Sequence, residues 1–238
     1  MFGLDWKSIA AKIPTKANRA SRRMNKIQNG TVWRDQPYFT SAYEKYGKNI
    51  KGIPEMACFF LQSSIHSLES LEGDVAECGT RFGKSALYML EACSREREFF
   101  LFDSFEGLSD PVAGKDILAS SIENDGKTRI LQVGIDVVTR QFSKHPNVHL
   151  MKGWIPNRFD EVADRNFCLV HVDVDLYQPT LDSFKFFYDR TVSGGMMICD
   201  DYGSVHYPGA RLAMDEFFAD KQEKPIELPS GQSFIVKH

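Results

Sequence analysis

Two pairs of carboxylates each close a short apolar run. Asp173-Val-Asp175 follows Phe167-Cys-Leu-Val-His-Val172, and Asp200-Asp201 follows Met196-Met-Ile-Cys199. Three or four carboxylates brought to one place repel unless a cation neutralises them, and clustered oxygen ligands suit a hard ion such as Mg²⁺. The chemistry on offer is that of a metal site.

The elements that must carry these acids follow from the runs themselves. Both faces of each run are apolar, which reads as a buried parallel strand. Carboxylates at the carboxyl ends of such strands face the ligand crevice of an open α/β sheet. From Glu72 onward strands and helices alternate, which implies βαβ units and a parallel sheet. Strands are expected at 74–79, 98–103, 147–152, 167–175 and 195–200, with helices at 85–93, 128–142, 179–188 and 210–219. Two last strands, 225–228 and 233–237, flank Pro229-Ser-Gly-Gln232 as a terminal β-hairpin. The stretch 107–127 is the least regular part of this core and fits a lid or substrate-binding loop at the sheet edge. A surface loop without ligand contacts is the other reading.

Before residue 72 the texture differs. Residues 38–71 carry a helical apolar pattern and read as a cover over the catalytic core at 72–238. Ahead of them Lys7, Lys12, Lys16, Arg19, Arg22, Arg23 and Lys26 stand against Asp5 alone, with Trp6, Ile9 and Ile13 at helix-like spacing. A basic amphipathic helix suits a membrane surface or an acidic partner, and equally a solvated helix covering the domain or an oligomer interface.

The 238 residues suffice for one sizeable α/β domain with an accessory segment. A net charge of −3 supplies no basic field, so a nucleic-acid partner is not expected. The five cysteines are odd in number, scattered and mostly set in apolar stretches. That pattern indicates reduced core cysteines of a cytoplasmic protein, not a disulfide frame or a zinc set. No apolar run approaches the roughly 20 residues of a membrane span, and the amino terminus lacks a signal peptide's apolar core.

Gly79-Thr-Arg-Phe-Gly-Lys-Ser85 admits two readings. A phosphate-binding loop needs G-x-x-x-x-G-K-[ST], and Cys78 stands where its first glycine belongs. A strand ending in Glu-Cys-Gly before a helix instead resembles the first motif of S-adenosylmethionine-dependent methyltransferases, where glycine lets the backbone approach the cofactor. Asp103 lies 24 residues beyond Gly79, near the offset of about 20 expected of an acid that binds ribose hydroxyls.

In order along the chain come Gly73-Asp-Val-Ala-Glu-Cys-Gly79, Phe102-Asp-Ser-Phe-Glu-Gly-Leu108, Lys152-Gly-Trp154 and His171-Val-Asp-Val-Asp-Leu-Tyr177. Gly194-Gly195 with Asp200-Asp-Tyr-Gly203, and Ser230-Gly-Gln232, complete the series. Together, over roughly 38–237, they resemble the macrocin O-methyltransferase family, whose best-known members methylate sugar hydroxyls of macrolide and aminocoumarin antibiotics. The resemblance implies a class I methyltransferase fold. That is a Rossmann-like, mostly parallel seven-stranded sheet with helices on both faces, here with a helical cover and a C-terminal hairpin. It also implies S-adenosylmethionine, a divalent cation, usually Mg²⁺, and a hydroxylated small-molecule acceptor, with a homo-oligomer expected. By position it makes Asp173, Asp200 and Asp201 the metal ligands, with Asp173 also bordering the cofactor. Glu77, Gly79, Thr80, Ser85, Asp103 and Ser104 fall in the cofactor pocket, Thr80 through its backbone. Trp154 falls where the adenine edge is bounded, as a stacking wall or as ordinary core.

A sugar hydroxyl is a poor nucleophile at neutral pH, so Lewis-acid activation must be joined by a base that takes the proton. Related catechol and caffeoyl-CoA methyltransferases place a lysine three residues after the first metal aspartate, where this chain has Leu176. Asp175 is the candidate base from the same strand end, although a nearby cation weakens it. His206, five residues after Asp201, has the better intrinsic pKa. His171 shares the strand face of Asp173 and reads as a supporting or core histidine. Two other classes stay open: a phosphotransferase with Lys84 and Ser85 on phosphates, and a non-catalytic cofactor-binding protein.

Overall fold

Strand β2 (Phe99–Asp103) shows how the sheet is built, because Phe99 and Leu101 join the core on one face and Phe100 and Phe102 the core on the other. Side chains of successive strand residues point to opposite faces, so an unbroken apolar run covers both. A computed structural model of the chain describes Met24 and residues 30–94, 96–117 and 131–238.

β1 (Asp74–Cys78), β2, β3 (Val148–Lys152), β4 (Phe167–Val172) and β5 (Thr191–Cys199) pair in parallel. β6 (Ile226–Glu227) and β7 (Ser233–Val236) form the expected hairpin, and β7 runs antiparallel to β5. The seven strands lie in the order β3-β2-β1-β4-β5-β7-β6. The chain therefore builds outward from β1 through β2 to β3, then returns to lay β4 on the other side of β1. That reversal opens a crevice at the carboxyl ends of β1 and β4.

Helices α1 (Pro37–Ala42), α2 (Glu55–Ser67), α3 (Lys84–Ala92), α4 (Ile135–Phe142), α5 (Tyr177–Phe187) and α6 (Pro208–Phe218) flank it. Leu61 and Ile65 of α2, Leu87 of α3, and Val138 and Phe142 of α4 pack on one face. Phe184 and Phe187 of α5 and Met214 and Phe218 of α6 pack on the other. Phe39, Cys58 and the buried Tyr88 join α1 and α2 to α3, with Trp33 edge-on to Phe39 at 5.0 Å. Arg97, nearly buried, donates to the carbonyls of Leu68 and Leu71 at 2.8 Å each and to that of Gly73, which ties the end of α2 to the start of β1.

Several boundaries move from their expected places. α4 begins at Ile135, not 128, because Gly134 is extended. β5 begins at Thr191 and runs through Gly194-Gly195 as an irregularity, with Gly194 at φ 82°. β4 stops at Val172, where the turn of Asp173 begins. The basic segment around Trp6 lies outside the described residues, as does the part of the 107–127 loop beyond residue 117. No disulfide joins any of the five cysteines, and four of them are buried. Among the described residues no helix is long and apolar enough to cross a membrane.

Candidate active site

At the crevice β1 and β4 come closer than side chains allow. A Cβ on Gly79 (φ 90°) would lie 1.7 Å from the Asp173 carbonyl oxygen. The glycine is thus required by the neighbouring strand as well as by any ligand. A cavity of about 310 Å³ opens there. Gly79, Thr80, Ser85, Asp103, Ser104 and Trp154 line it from the β1–β2–β3 side, and Asp173, Asp175, Asp200 and Asp201 from the β4–β5 side. Glu77 is fully buried and not part of the lining, and His206 is exposed on the loop before α6, beside the lining residue Tyr207 but not itself in the lining.

The β1–β2–β3 side is set by Asp103, the last residue of β2. One carboxylate oxygen accepts the Arg81 N–H and the other the Phe105 N–H, each at 2.6 Å. Burial raises its pKa against these bonds. Ser104 Oγ accepts the Glu106 N–H at 3.0 Å and so shapes the next turn. Thr80 Oγ1 and Arg81 Nε are buried without a partner. Lys84 Nζ donates to the Ile53 carbonyl at 2.9 Å, so the ammonium that a phosphate loop would need is spent on the helical cover.

The acid half is crowded. Burial first, then Asp200, Asp201 and Asp175, push Asp173 far above the usual carboxylate range, and burial, Asp175 and Asp200 do the same to Asp201. Asp175 is raised to about 7 by burial and Asp200, with Arg81 opposing. Asp175 has φ 62°, and its N–H is accepted by Asp201 Oδ2 at 3.1 Å.

Behind the acids runs a buried chain. His171 Nδ1 lies 3.1 Å from Glu77 Oε1 and Nε2 lies 3.4 Å from Asp200 Oδ1. Burial works to lower the His171 pKa, but its bonds to Asp200 and Glu77 outweigh it and raise the ring to about 9. Gln232 Nε2 donates to the same Asp200 oxygen at 2.8 Å, which gives the Ser230-Gly-Gln232 segment its place. Ligand atoms of His171, Asp173 and Asp200 lie within 4.8 Å of one another. With both nitrogens turned to carboxylates, an imidazolium has no lone pair to give, so the aspartates are the oxygen donors that remain.

The family model for macrocin O-methyltransferase (TylF) matches residues 16–229. The chain belongs to this family. It is an O-methyltransferase of the S-adenosylmethionine-dependent kind, and the phosphotransferase reading falls away. Over 202 residues it is 22% identical to the 8-demethyl-8-(2,3-dimethoxy-alpha-L-rhamnosyl)-tetracenomycin-C 4'-O-methyltransferase of Streptomyces olivaceus, covering 75% of this chain and 77% of that one. Over 160 residues it is 28% identical to the demethyldecarbamoylnovobiocin O-methyltransferase of Streptomyces niveus, covering 63% of this chain and 60% of that one. The crystal structure of the calicheamicin methyltransferase CalS11 shares the fold with a TM-score of 0.65 at 16% identity, over 99% of this chain and 98% of that one.

Two residues of the methyltransferase cavity escape sequence reasoning. Arg81, at φ 46°, is the cation facing Asp103 and Asp175. Tyr207 lines the cavity, its phenol raised to about 12 by burial and then by Asp175 and Asp201. Arg81 sits within the Gly79–Gly83 turn, a position that could have flagged it; Tyr207 has no signal beyond preceding Pro208-Gly209.

Proposed function

We propose that this methyltransferase moves the methyl group of S-adenosylmethionine to a sugar hydroxyl of a small natural product or glycan, with Mg²⁺ held by Asp173, Asp200 and Asp201. The observation that carries the reading is that Asp173, Asp175, Asp200 and Asp201 line the same cavity as the Gly79 turn and Asp103. Crowded carboxylates, with Asp173, Asp175 and Asp201 pushed upward by their neighbours, ask for a counter-cation, and their oxygens are hard donors. The names of the Streptomyces relatives, one of them a 4'-O-methyltransferase of a rhamnosyl compound, support a sugar as acceptor.

A divalent cation held by Asp173, Asp200 and Asp201 would supply Lewis-acid activation of the acceptor hydroxyl. The chain's own residues do the rest. The turn from Gly79 to Ser85 brings backbone to the cofactor, Asp103 accepts from the ribose hydroxyls with lone pairs left by its two amide bonds, and Trp154 bounds the adenine. Asp175 takes the proton of the hydroxyl. Its carboxyl sits near neutrality without a counter-charge and is ionised beside one. As the new O–CH₃ bond forms the S–CH₃ bond breaks, S-adenosylhomocysteine leaves, and the proton rests on Asp175.

The test is a screen of sugar acceptors by the mass gain of one methyl group, with and without EDTA. Asp173→Ala and Asp200→Ala abolish transfer while the protein stays folded, and Asp175→Asn lowers turnover far more than cofactor affinity. Full activity in excess EDTA refutes the cation, and full activity of Asp175→Asn refutes the base.

A further inference from the structure

The loop after β2 lines the cavity with Leu108 and Ser109, and a few residues on it reaches over to α5. Asp116 Oδ1 accepts the N–H of Tyr177, the first residue of α5, at 2.9 Å, and Oδ2 accepts the Val112 N–H at 2.8 Å. Lys115 Nζ donates to the Tyr177 hydroxyl at 3.0 Å and to both oxygens of Glu216 of α6 at 2.7 and 2.9 Å. Leu176, at the cap position of α5, makes no side-chain cap bond. Asp116 supplies that cap from 61 residues away, pairing an N–H that helix geometry leaves open and opposing the helix dipole.

Gly209 of α6 keeps the seat open, since a Cβ there would lie 1.9 Å from Asp116 Oδ1. The capped helix begins directly after the turn that carries Asp173 and Asp175, and only residues 173–176 separate it from β4. The Asp175 N–H is held by Asp201, as described above. The turn is thus fastened on one side by Asp201 and on the other by Asp116.

We propose that Asp116 is a positioning residue, which by capping α5 fixes the turn that aims Asp173 and Asp175 into the cavity and couples the loop over the cavity to that aim. The inference rests on the roles given to Asp173 and Asp175 under the proposed function.

The experiment compares Asp116→Ala, Asp116→Asn, Gly209→Ala and the Asp116→Ala/Gly209→Ala pair with the parent, all as full chains. Hydrogen exchange at the Tyr177 amide is followed with S-adenosylhomocysteine and Mg²⁺ present, and kcat and KM are measured on the acceptor that the mass screen returns. Loss of a cap shifts such equilibria by on the order of tenfold. Asp116→Ala and Gly209→Ala therefore speed exchange and lower kcat by about that factor, with KM and cofactor affinity unchanged. Asp116→Asn recovers most of the loss, because its amide oxygen still accepts. The pair loses less than the product of the singles, the remainder reflecting the 2.9 Å approach of a Gly209 Cβ to the Tyr177 nitrogen.

Parental exchange and kcat in Asp116→Ala overturn the inference. If that variant does not fold, Asp116→Ser takes its place, since its hydroxyl is too short to reach the Tyr177 amide, and parental exchange and kcat there overturn the inference. An inactive Asp175→Asn beside a parental Asp116→Ala removes the cap and leaves the base. A fully active Asp175→Asn beside a slowed Asp116→Ala removes the base and leaves the cap acting on Asp173 alone.

Discussion

Gly79→Ala measures how tightly the turn after β1 is bound to the acids. At φ 90° an L side chain is strained by roughly 1–3 kcal/mol. Its Cβ would start 1.7 Å from the Asp173 carbonyl oxygen, where contacts under 3.0 Å essentially never occur, so β1 and β4 must part by at least 1.3 Å. Forcing backbone apart in a packed site costs roughly 1–3 kcal/mol more. The sum, about 2–6 kcal/mol, lowers the Tm by about 4–24 °C at roughly 2–4 °C per kcal/mol for a chain of this length. Because the displaced carbonyl belongs to Asp173 itself, affinity for S-adenosylhomocysteine and for Mg²⁺ falls together with stability. Gly83→Ala is the matched comparison: φ is 73°, but its Cβ would meet the Phe142 ring at 2.6 Å, on α4 instead of on the acids. It loses comparable stability and far less affinity. Melting curves and calorimetry with S-adenosylhomocysteine, with and without Mg²⁺, read both quantities. A Gly79→Ala protein with the parent's Tm and affinities refutes the reasoning.

Two further outcomes follow from buried polar groups. Arg97→Met removes the guanidinium from the carbonyls of Leu68, Leu71 and Gly73, of which Leu68 keeps the Leu71 N–H; at roughly 1–3 kcal/mol for a buried group left unpaired, urea unfolding should show a loss of about 1–3 kcal/mol with cofactor affinity kept, and an unchanged midpoint contradicts it. His171 has its folded pKa raised from 6.5 to about 9, so its charge stabilises the fold fully below 6.5 and ceases to as pH rises through 9. In EDTA the parent therefore exceeds His171→Asn by a margin that shrinks across that window by on the order of 3 kcal/mol, and a margin independent of pH refutes the charged ring.

What was legible in the sequence is what depends on runs and their ends. Phe167–Val172 and the second half of β5 announce themselves by unbroken apolar character, and the acids that follow mark the carboxyl edge. The boundaries that failed have local causes. Pro179 looks like the first residue of a helix, yet α5 starts at Tyr177, since proline is tolerated throughout a first turn. The Gly194 pair looks like the start of a strand, yet β5 runs through it. Asp116 was not legible, because its partner amide is 61 residues away and any loop aspartate looks the same. Arg97 was hidden likewise, its three acceptors being backbone carbonyls that no residue type reveals. The pairing of Glu77 with His171 follows only from the register of β1 on β4, which the sequence does not state.

Backbone strain gathers at the same strand ends. Among the described residues three non-glycines have positive φ, namely Arg81 after β1, Phe105 after β2 and Asp175 after β4. Each such residue costs about 1–2 kcal/mol, and persists only where its surroundings over-determine it. All three are held in the same way. Arg81 and Phe105 donate their N–H groups to Asp103, and Asp175 donates its own to Asp201. The carboxylates at the strand ends thus lock the turns that shape the cavity, and the same groups line it. A substitution of Asp103 or Asp201 removes a proposed ligand contact and releases a strained turn at once. Asp175→Asn differs, because its own side chain locks no turn and its N–H remains on Asp201. It is therefore the substitution that separates the chemistry of the acids from their hold on the backbone.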